Sequence, residues 1–345
     1  MSQSTVEQNP RWDFADMILG GPTGKTVFIK HLNKNSDILQ RPDILEQIWL
    51  GCIDLAYDGK ATKTKSGGPA GIIVRRDFAY EYKDEEIREV SRFRVSVQPS
   101  TKGVFFCMRR ITGIIPSLQQ QGFMAATIDK LLQRNRRGLV LFGGEMGAGK
   151  TSAASATISE WLKKNGGSAV TLEDPPEYAL QGAHVDRNNP NCPGGICIQR
   201  ATTADKMAQE IPTLMRAAAP EIIFLGEIRE EHVAREAVLA AANGHLVIST
   251  IHGKGIEGSI SRLISLGATD AMSYEETAKT IADALSMVIF QQLVRNEKTN
   301  MKILQVTMAD FTDQENGAGM RNNVRSLKFE QMGNYLKTQQ NRSSL

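Results

Sequence analysis

An α/β fold with a parallel sheet, preceded by a smaller α+β domain, is predicted by three observations on this 345-residue chain. From about residue 119 to 310, continuous apolar runs alternate with amphipathic stretches, the rhythm of buried parallel strands covered by helices on both faces. From 12 to 112, short alternating runs are broken by glycine-rich and charged turns, which suits an antiparallel sheet. A glycine-rich loop at 144–151 directly follows the first apolar run of the second region, at the strand end where open α/β sheets bind ligands.

The elements follow in order. Residues 1–11 are polar and are expected to form a flexible N-terminus. A helix is predicted over 44–57, where Leu45, Ile48, Trp49, Cys52 and Leu55 are spaced for one face. Strands are expected at 71–74, 78–82, 93–97 and 103–106. Gly113 and Pro116 mark a linker at 113–118, a plausible hinge. In the second region, strands are expected at 139–142, 169–172, 222–225 and 246–250, with helices at about 124–134, 151–164, 204–217 and 231–242. After 270 come a helix at 272–294, a strand at 303–308 and a polar extension over 311–345 rich in Gln, Asn and Gly. No internal repeat is visible.

Bulk properties exclude several classes. A net charge of +3 argues against a nucleic-acid-wrapping or polybasic membrane protein. Cys52, Cys107, Cys192 and Cys197 are too few for a disulfide framework in a chain this long. Cys192 and Cys197 have the look of half a zinc site, but no second pair completes it, so an incidental glycine-rich loop is the expectation. The polar start shows no signal peptide, and no apolar run approaches the ~20 residues that cross a bilayer. A soluble, cytosolic protein is expected.

Gly144-Glu145-Met146-Gly147-Ala148-Gly149-Lys150-Thr151 fits G-x-x-x-x-G-K-[ST] between a predicted strand and a predicted helix. Glycines let a phosphate approach the backbone, and loop N–H groups with the positive end of the helix favour its charge. Gly144, Gly147, Ala148, Gly149, Lys150, Thr151 and Ser152 are the candidate nucleotide-binding residues. Lys150 would reach the β- and γ-phosphates and the Thr151 hydroxyl would help hold Mg²⁺, so ATP and Mg²⁺ are the expected cofactors.

Three further segments carry acids or histidines to strand ends. Thr171-Leu172-Glu173-Asp174-Pro175-Pro176-Glu177 is either a solvated loop or a water-activating glutamate with an acidic neighbour. Ile222-Ile223-Phe224-Leu225-Gly226-Glu227 is an apolar strand ending in a carboxylate, suited to Mg²⁺ directly or through water. In Gly244-His245-Leu246-Val247-Ile248-Ser249-Thr250-Ile251-His252, His245 reads as structural. His252, at the carboxyl end, is better placed to feel the γ-phosphate. Seven residues apart on an extended segment, the two histidines are too distant to share one metal.

Read together, GEMGAGKT, TLEDPPE, IIFLGEIRE and GHLVISTIH resemble, in order, the Walker A, aspartate, Walker B and histidine boxes of the secretion and type IV pilus traffic ATPases, the PilT and GspE group. The resemblance runs upstream through Arg92-Phe93-Arg94-Val95-Ser96 and Met108-Arg109-Arg110-Ile111, covering about residues 70–295. It implies a PAS-like first domain, a RecA-like P-loop domain and a ring of six subunits. By motif position it also implies Glu173 as the residue that polarises the attacking water, Glu227 as the Walker B acid and His252 as the γ-phosphate sensor. Arg94 and Arg109 are then the arginines offered to the phosphates. Arg92 and Arg110 compete with them, since strand neighbours point to opposite faces.

The chain departs from the family pattern in places. Glu145 and Met146 replace the usual Pro-Thr, Ala219-Pro220-Glu221 replaces Asp-Pro-Asp, and the retraction-motor signature is only faintly echoed near 324–327. The segment 182–197 reads as a longer, glycine-rich loop. The expectation is a compact hexameric motor of a type IV pilus or of a type IV secretion or conjugation machine. Its partners would be an inner-membrane platform protein, with the motor peripheral at the cytoplasmic face of the bacterial inner membrane and no direct nucleic-acid contact. A nucleotide-gated assembly factor, suggested by Glu145 beside the phosphates, is the alternative; a nucleic-acid translocase fits the low charge poorly.

Overall fold

The structure, a computed structural model, describes residues 10–343 except 13, 15, 22–25, 31, 33, 64–67, 112–114, 187, 188, 190, 218, 271 and 296–301. The chain divides into two units, Met1–Thr112 with Pro175–Glu177, and Gly113–Asp174 with Tyr178–Leu345.

The first unit comprises β1 (Asp16–Gly21), β2 (Thr26–Lys30), α1 (Pro42–Tyr57), the short pair β3 (Thr62–Lys63) and β4 (Pro69–Ala70), β5 (Asp77–Asp84), β6 (Glu89–Ser100) and β7 (Gly103–Ile111). Among the described residues its main sheet has five strands in the order β2-β1-β7-β6-β5, every described pairing antiparallel. Phe93, Val95 and Val97 point to one face because side chains alternate along a strand, and α1 covers that face with Ile44, Leu45, Ile48, Trp49 and Cys52. Trp12 is fully buried, its ring 5.6 Å from Tyr82 and 5.9 Å from Phe93, with Nε1 donating to Asp84 at 3.2 Å.

The expected flexible start is mostly residues 1–9, outside the described residues, but its last residue is firmly held. Arg11 is buried and donates to Asp37 at 2.7 Å and Asp84 at 2.9 Å. This guanidinium holds the Asp37 carboxyl below its ordinary range. The strand expected at 71–74 is instead a loop, with Ile72 and Val74 exposed. The N–H groups of Val74 and Arg75 both reach the Ala56 carbonyl, satisfying the end of α1 rather than a neighbouring strand. Residues 113 and 114 of the predicted linker at 113–118, including Gly113 of the plausible hinge, lie outside the described residues.

The second unit runs α2 (Ala125–Leu131), β8 (Gly138–Gly144), α3 (Lys150–Asn165), β9 (Gly167–Glu173), β10 (Gly182–His184), β11 (Gly195–Ala201), α4 (Ala204–Ala217), β12 (Ile222–Leu225), α5 (Glu231–Ala242) and β13 (Leu246–His252). It continues through α6 (Gly255–Gly267), α7 (Tyr274–Ala284), β14 (Leu285–Arg295), β15 (Lys302–Asp310), α8 (Gly317–Arg325) and α9 (Met332–Ser343). Among the described residues its sheet has eight strands in the order β10-β11-β9-β12-β13-β8-β14-β15. The six inner strands are parallel, and β10 and β15 close the edges antiparallel. Period-two alternation sends Leu139 and Leu141 of β8 into a core shared with α4 to α9, and Val140 and Phe142 into a second core beneath α3. Parallel strands buried on both faces explain why these runs read as continuously apolar.

Three stretches differ from expectation. The helix expected at 272–294 ends at Ala284, and 285–295 is β14, paired with β8 on one side and β15 on the other. Leu285 to Phe290 are buried on both faces, and a run with Ser286 as its one polar position offers no helical period to read. Helix α6, unassigned from sequence, is disguised by Gly255, Gly258 and Gly267, yet Ile256, Ile260, Leu263 and Ile264 give it a buried face. The extension expected to be polar over 311–345 also buries apolar side chains: Phe311, Met320, Val324, Met332 and Leu336 join the first of the two cores. Among the described residues, no helix is long and apolar enough to cross a membrane.

Candidate functional site at the carboxyl edge of the parallel sheet

Parallel strands end on one side, and register fixes which residues meet there. Gly144 at the end of β8 lies opposite His252 on β13 and Gln291 on β14. Two strands further along, Leu172 and Leu225 are partners, so Glu173 and the Gly226-Glu227 turn leave the sheet side by side. The close approach depends on Gly226, where an added Cβ would sit 3.3 Å from Glu173 Cγ and 3.4 Å from its Cα. The sheet thereby brings Gly144, Glu173, Glu227 and His252 to one edge.

The loop after β8 turns on Gly147 at φ +76° and Gly149 at φ +85°, with Gly149 capping α3. Lys150 is buried, and its Nζ donates to the carbonyls of Gly144 at 3.0 Å and Glu145 at 2.8 Å, folding the loop around the amine. Ala148 is buried beneath it, while Thr151 and Ser152 are half-buried on the first turn of α3. Glu145 and Met146 are exposed. Gly149→Ala should therefore destabilise the second unit by ~1–3 kcal/mol, the cost of forcing a side chain into left-handed backbone. Urea unfolding measures it, and an unchanged midpoint would count against the strain.

Glu173 is 2% exposed, and its Oε1 accepts from Thr171 Oγ1 at 2.7 Å and Gln199 Nε2 at 2.8 Å. Glu227 is mostly buried, its Oε2 held by Arg229 Nε at 2.5 Å. His252 Nε2 stands 3.0 Å from Glu227 Oε1, in ion-pair range, though that buried oxygen has no aligned hydrogen-bond donor. The His252 ring remains about half exposed. Positive-φ glycines in the loop, a lysine at its centre and a carboxylate with an unsatisfied buried oxygen are the donor set that a nucleotide with a hard divalent cation requires. At the other end of β13, the His245 carbonyl accepts from Gly138 N at 3.0 Å. Burial, with the Glu173 charge, pushes the Cys197 thiol up to about 12.

The family model described as "Type II/IV secretion system protein" matches residues 85–334, which hold all four boxes, the whole eight-stranded sheet, and strands β6 and β7 of the first unit. The chain belongs to this family. The resemblance read from the boxes, over about 70–295, lies largely within this match.

Among relatives of this secretion-protein family, the type IV pilus ATPase PilU of Pseudomonas aeruginosa is 31% identical over 226 residues, covering 64% of this chain and 55% of its own length. A twitching motility protein of Neisseria gonorrhoeae is 26% identical, covering 76% of this chain and 64% of its own. The matched segments thus span less than two thirds of these curated relatives. Among solved structures, that of the pilus retraction motor PilT with bound ADP matches at a TM-score of 0.66 and 19% identity, over 96% of this chain and 88% of that one. The Legionella pneumophila ATPase DotB matches at 0.60 and 18%, over 92% and 83%. The fold is theirs: a parallel-rich sheet carrying the phosphate loop, and a smaller antiparallel domain before it.

In the first unit, Arg94 and Arg109 are register partners on β6 and β7, so they share the face away from α1. Arg109 is largely exposed, with Nε 3.0 Å from Asp16 Oδ1. Both arginines line, with Lys30 and Asp16, a shallow concavity of about 390 Å³. The competing candidates separate clearly. Arg110 points into the core, donating to the Trp12 carbonyl and, at 3.3 Å, to Glu89. Arg92 lies two residues from Arg94 on the same face, not the opposite one, and is held by Glu81 at 2.5 Å.

Sequence reasoning missed Gln199, Thr171, Arg229 and Gln291, the residues that hold the expected ones. Arg229 stood inside a quoted box, and Gln291 is the first of two amides, Gln291-Gln292, that follow an apolar run. Gln291 is fully buried beside the phosphate loop, its Nε2 3.5 Å from the Gly149 carbonyl.

Proposed function

We propose that this protein is an ATP-hydrolysing motor, working as a homo-hexamer with an inner-membrane platform protein. It would act at the cytoplasmic face of the bacterial inner membrane to power a type IV pilus or a type IV secretion or conjugation machine. The observation that carries the reading is the meeting of the Lys150 loop, Glu173 and the Glu227–His252 pair at one sheet edge.

In this reading the loop N–H groups and Lys150 bind the β- and γ-phosphates, and the amine exchanges its loop carbonyls for phosphate oxygens. Thr151 and Glu227 would hold Mg²⁺, which when bound neutralises phosphate charge. Glu173 orients the attacking water and takes its proton as the water oxygen bonds to the γ-phosphorus and the bond from that phosphorus to the bridging oxygen breaks, releasing ADP and phosphate. His252 faces the γ-phosphate while Glu227 fixes its ring. Arg94 and Arg109 serve the charge that spreads over the transferring group. The assembly-factor alternative rested on Glu145 opposing the phosphates, and that side chain is exposed.

Phosphate release from ATP by the full chain tests the proposal. Hydrolysis should stop with EDTA and return with excess Mg²⁺. A preparation that binds ATP but releases no phosphate, or releases it regardless of EDTA, would refute the motor reading.

A further inference from the structure

We propose that Gln199 is a positioning residue for hydrolysis, clamping the Glu173 carboxylate through its side-chain amide; this rests on the reading of Glu173 as the base. Gln199 on β11 is the register partner of Thr171 on β9, and Glu173 lies two residues beyond Thr171, on the same face. Two donors from different strands therefore converge on one oxygen, Thr171 Oγ1 at 2.7 Å and Gln199 Nε2 at 2.8 Å to Glu173 Oε1. An oxygen receiving two hydrogen bonds inside the protein is fixed in direction, which leaves the other carboxylate oxygen in a set orientation.

The amide is itself locked. Its Nε2 also donates to the Tyr178 carbonyl at 2.7 Å, and its Oε1 accepts from the Leu180 N–H at 3.0 Å. A flipped amide would set oxygen against the carboxylate and the carbonyl, and nitrogen against an N–H, so one orientation satisfies all three. The segment that supplies Tyr178 and Leu180 is pinned in turn to the phosphate-loop helix. His184 Nε2 donates to the Leu180 carbonyl at 2.8 Å, which leaves Nδ1 to accept from Ser159 Oγ on α3 at 2.9 Å. Burial holds the His184 pKa below its ordinary value, keeping this neutral arrangement. Gln199 thus ties the base to the chain that follows it and, through that chain, to the helix whose first turn carries Thr151.

Steady-state hydrolysis by the full chain over a range of ATP–Mg²⁺ tests the clamp. Gln199→Met keeps the volume and removes the donors, and should lower kcat by about 10- to 100-fold with KM changed less than about twofold. Thr171→Val, a near-isosteric change at the same oxygen, should lower kcat in the same direction and keeps the test decisive if Gln199→Met folds poorly. In a Glu173→Gln background, single-turnover rates should show no further loss from Gln199→Met. Full kcat in both Gln199→Met and Thr171→Val would overturn the clamp while leaving the base assignment standing. An equal fold-loss from Gln199→Met with and without Glu173 would also overturn it, marking a scaffold role. Wild-type turnover in Glu173→Gln alone would remove the base itself, and with it the group that Gln199 positions.

Discussion

Glu173→Gln is expected to leave ATP binding nearly unchanged while hydrolysis falls by ~10²–10⁴-fold, the usual contribution of a positioned general base. The substitution isolates basicity. A glutamine of the same length still offers Oε1 to Thr171 and Gln199, so the packing of a side chain that is 2% exposed is kept. Its amide cannot take a proton from water. Nucleotide titration by fluorescence and phosphate release under saturating ATP–Mg²⁺ measure the two quantities separately. Turnover near wild type would remove Glu173 from the mechanism, and lost binding would show that it holds the nucleotide instead.

Asp310→Ala is expected to destabilise the second unit by ~3–5 kcal/mol, the cost of leaving a buried charge without its partner. Asp310, at the end of β15, accepts from Arg136 through both oxygens at 3.4 Å and from Thr312 Oγ1 at 2.6 Å. Arg136, only 3% exposed, also donates to Ser286 at 3.0 Å and to the Lys130 carbonyl at 2.8 Å, joining the entry to β8 with the start of β14. Guanidinium cannot shed its proton, so removing the carboxylate strands a full charge. Desolvation alone would raise the Asp310 pKa, but attraction to Arg136 and the Thr312 hydrogen bonds outweigh it, and the net shift is downward. A depressed folded pKa means that this stabilisation is present above the unfolded value of 3.8 and is lost as pH falls through the folded value. Urea midpoints at neutral and acid pH measure both effects. A loss below ~1 kcal/mol at neutral pH, or an acid limb unchanged by the substitution, would contradict the account.

Legibility followed the range of the interaction. The helix at 231–242 and the strand at 222–225 were readable to the residue, because their apolar spacing is local and their flanks are polar. β14 was misread because Leu285 to Phe290 is buried throughout with only Ser286 polar, and only the pairing with β8 makes that run a strand. β1 went unassigned because its two buried side chains, Met17 and Leu19, are followed by Gly20 and Gly21, which hide the period. For the arginines, strand alternation identified the choice between Arg109 and Arg110, but not which face the helix would cover.

The sequence by itself determined which residues are the candidates for the chemistry. A phosphate loop, a strand ending in Glu173 or Glu227 and a histidine closing β13 are each written within a few adjacent positions, and backbone geometry over so short a span is dictated locally. Only the tertiary structure decided what holds those residues in place. Gln199 meets Glu173 across 26 residues, and Arg136 meets Asp310 across 174. Such contacts depend on strand register, which is set by how the buried faces of the whole sheet pack rather than by any short stretch of chain.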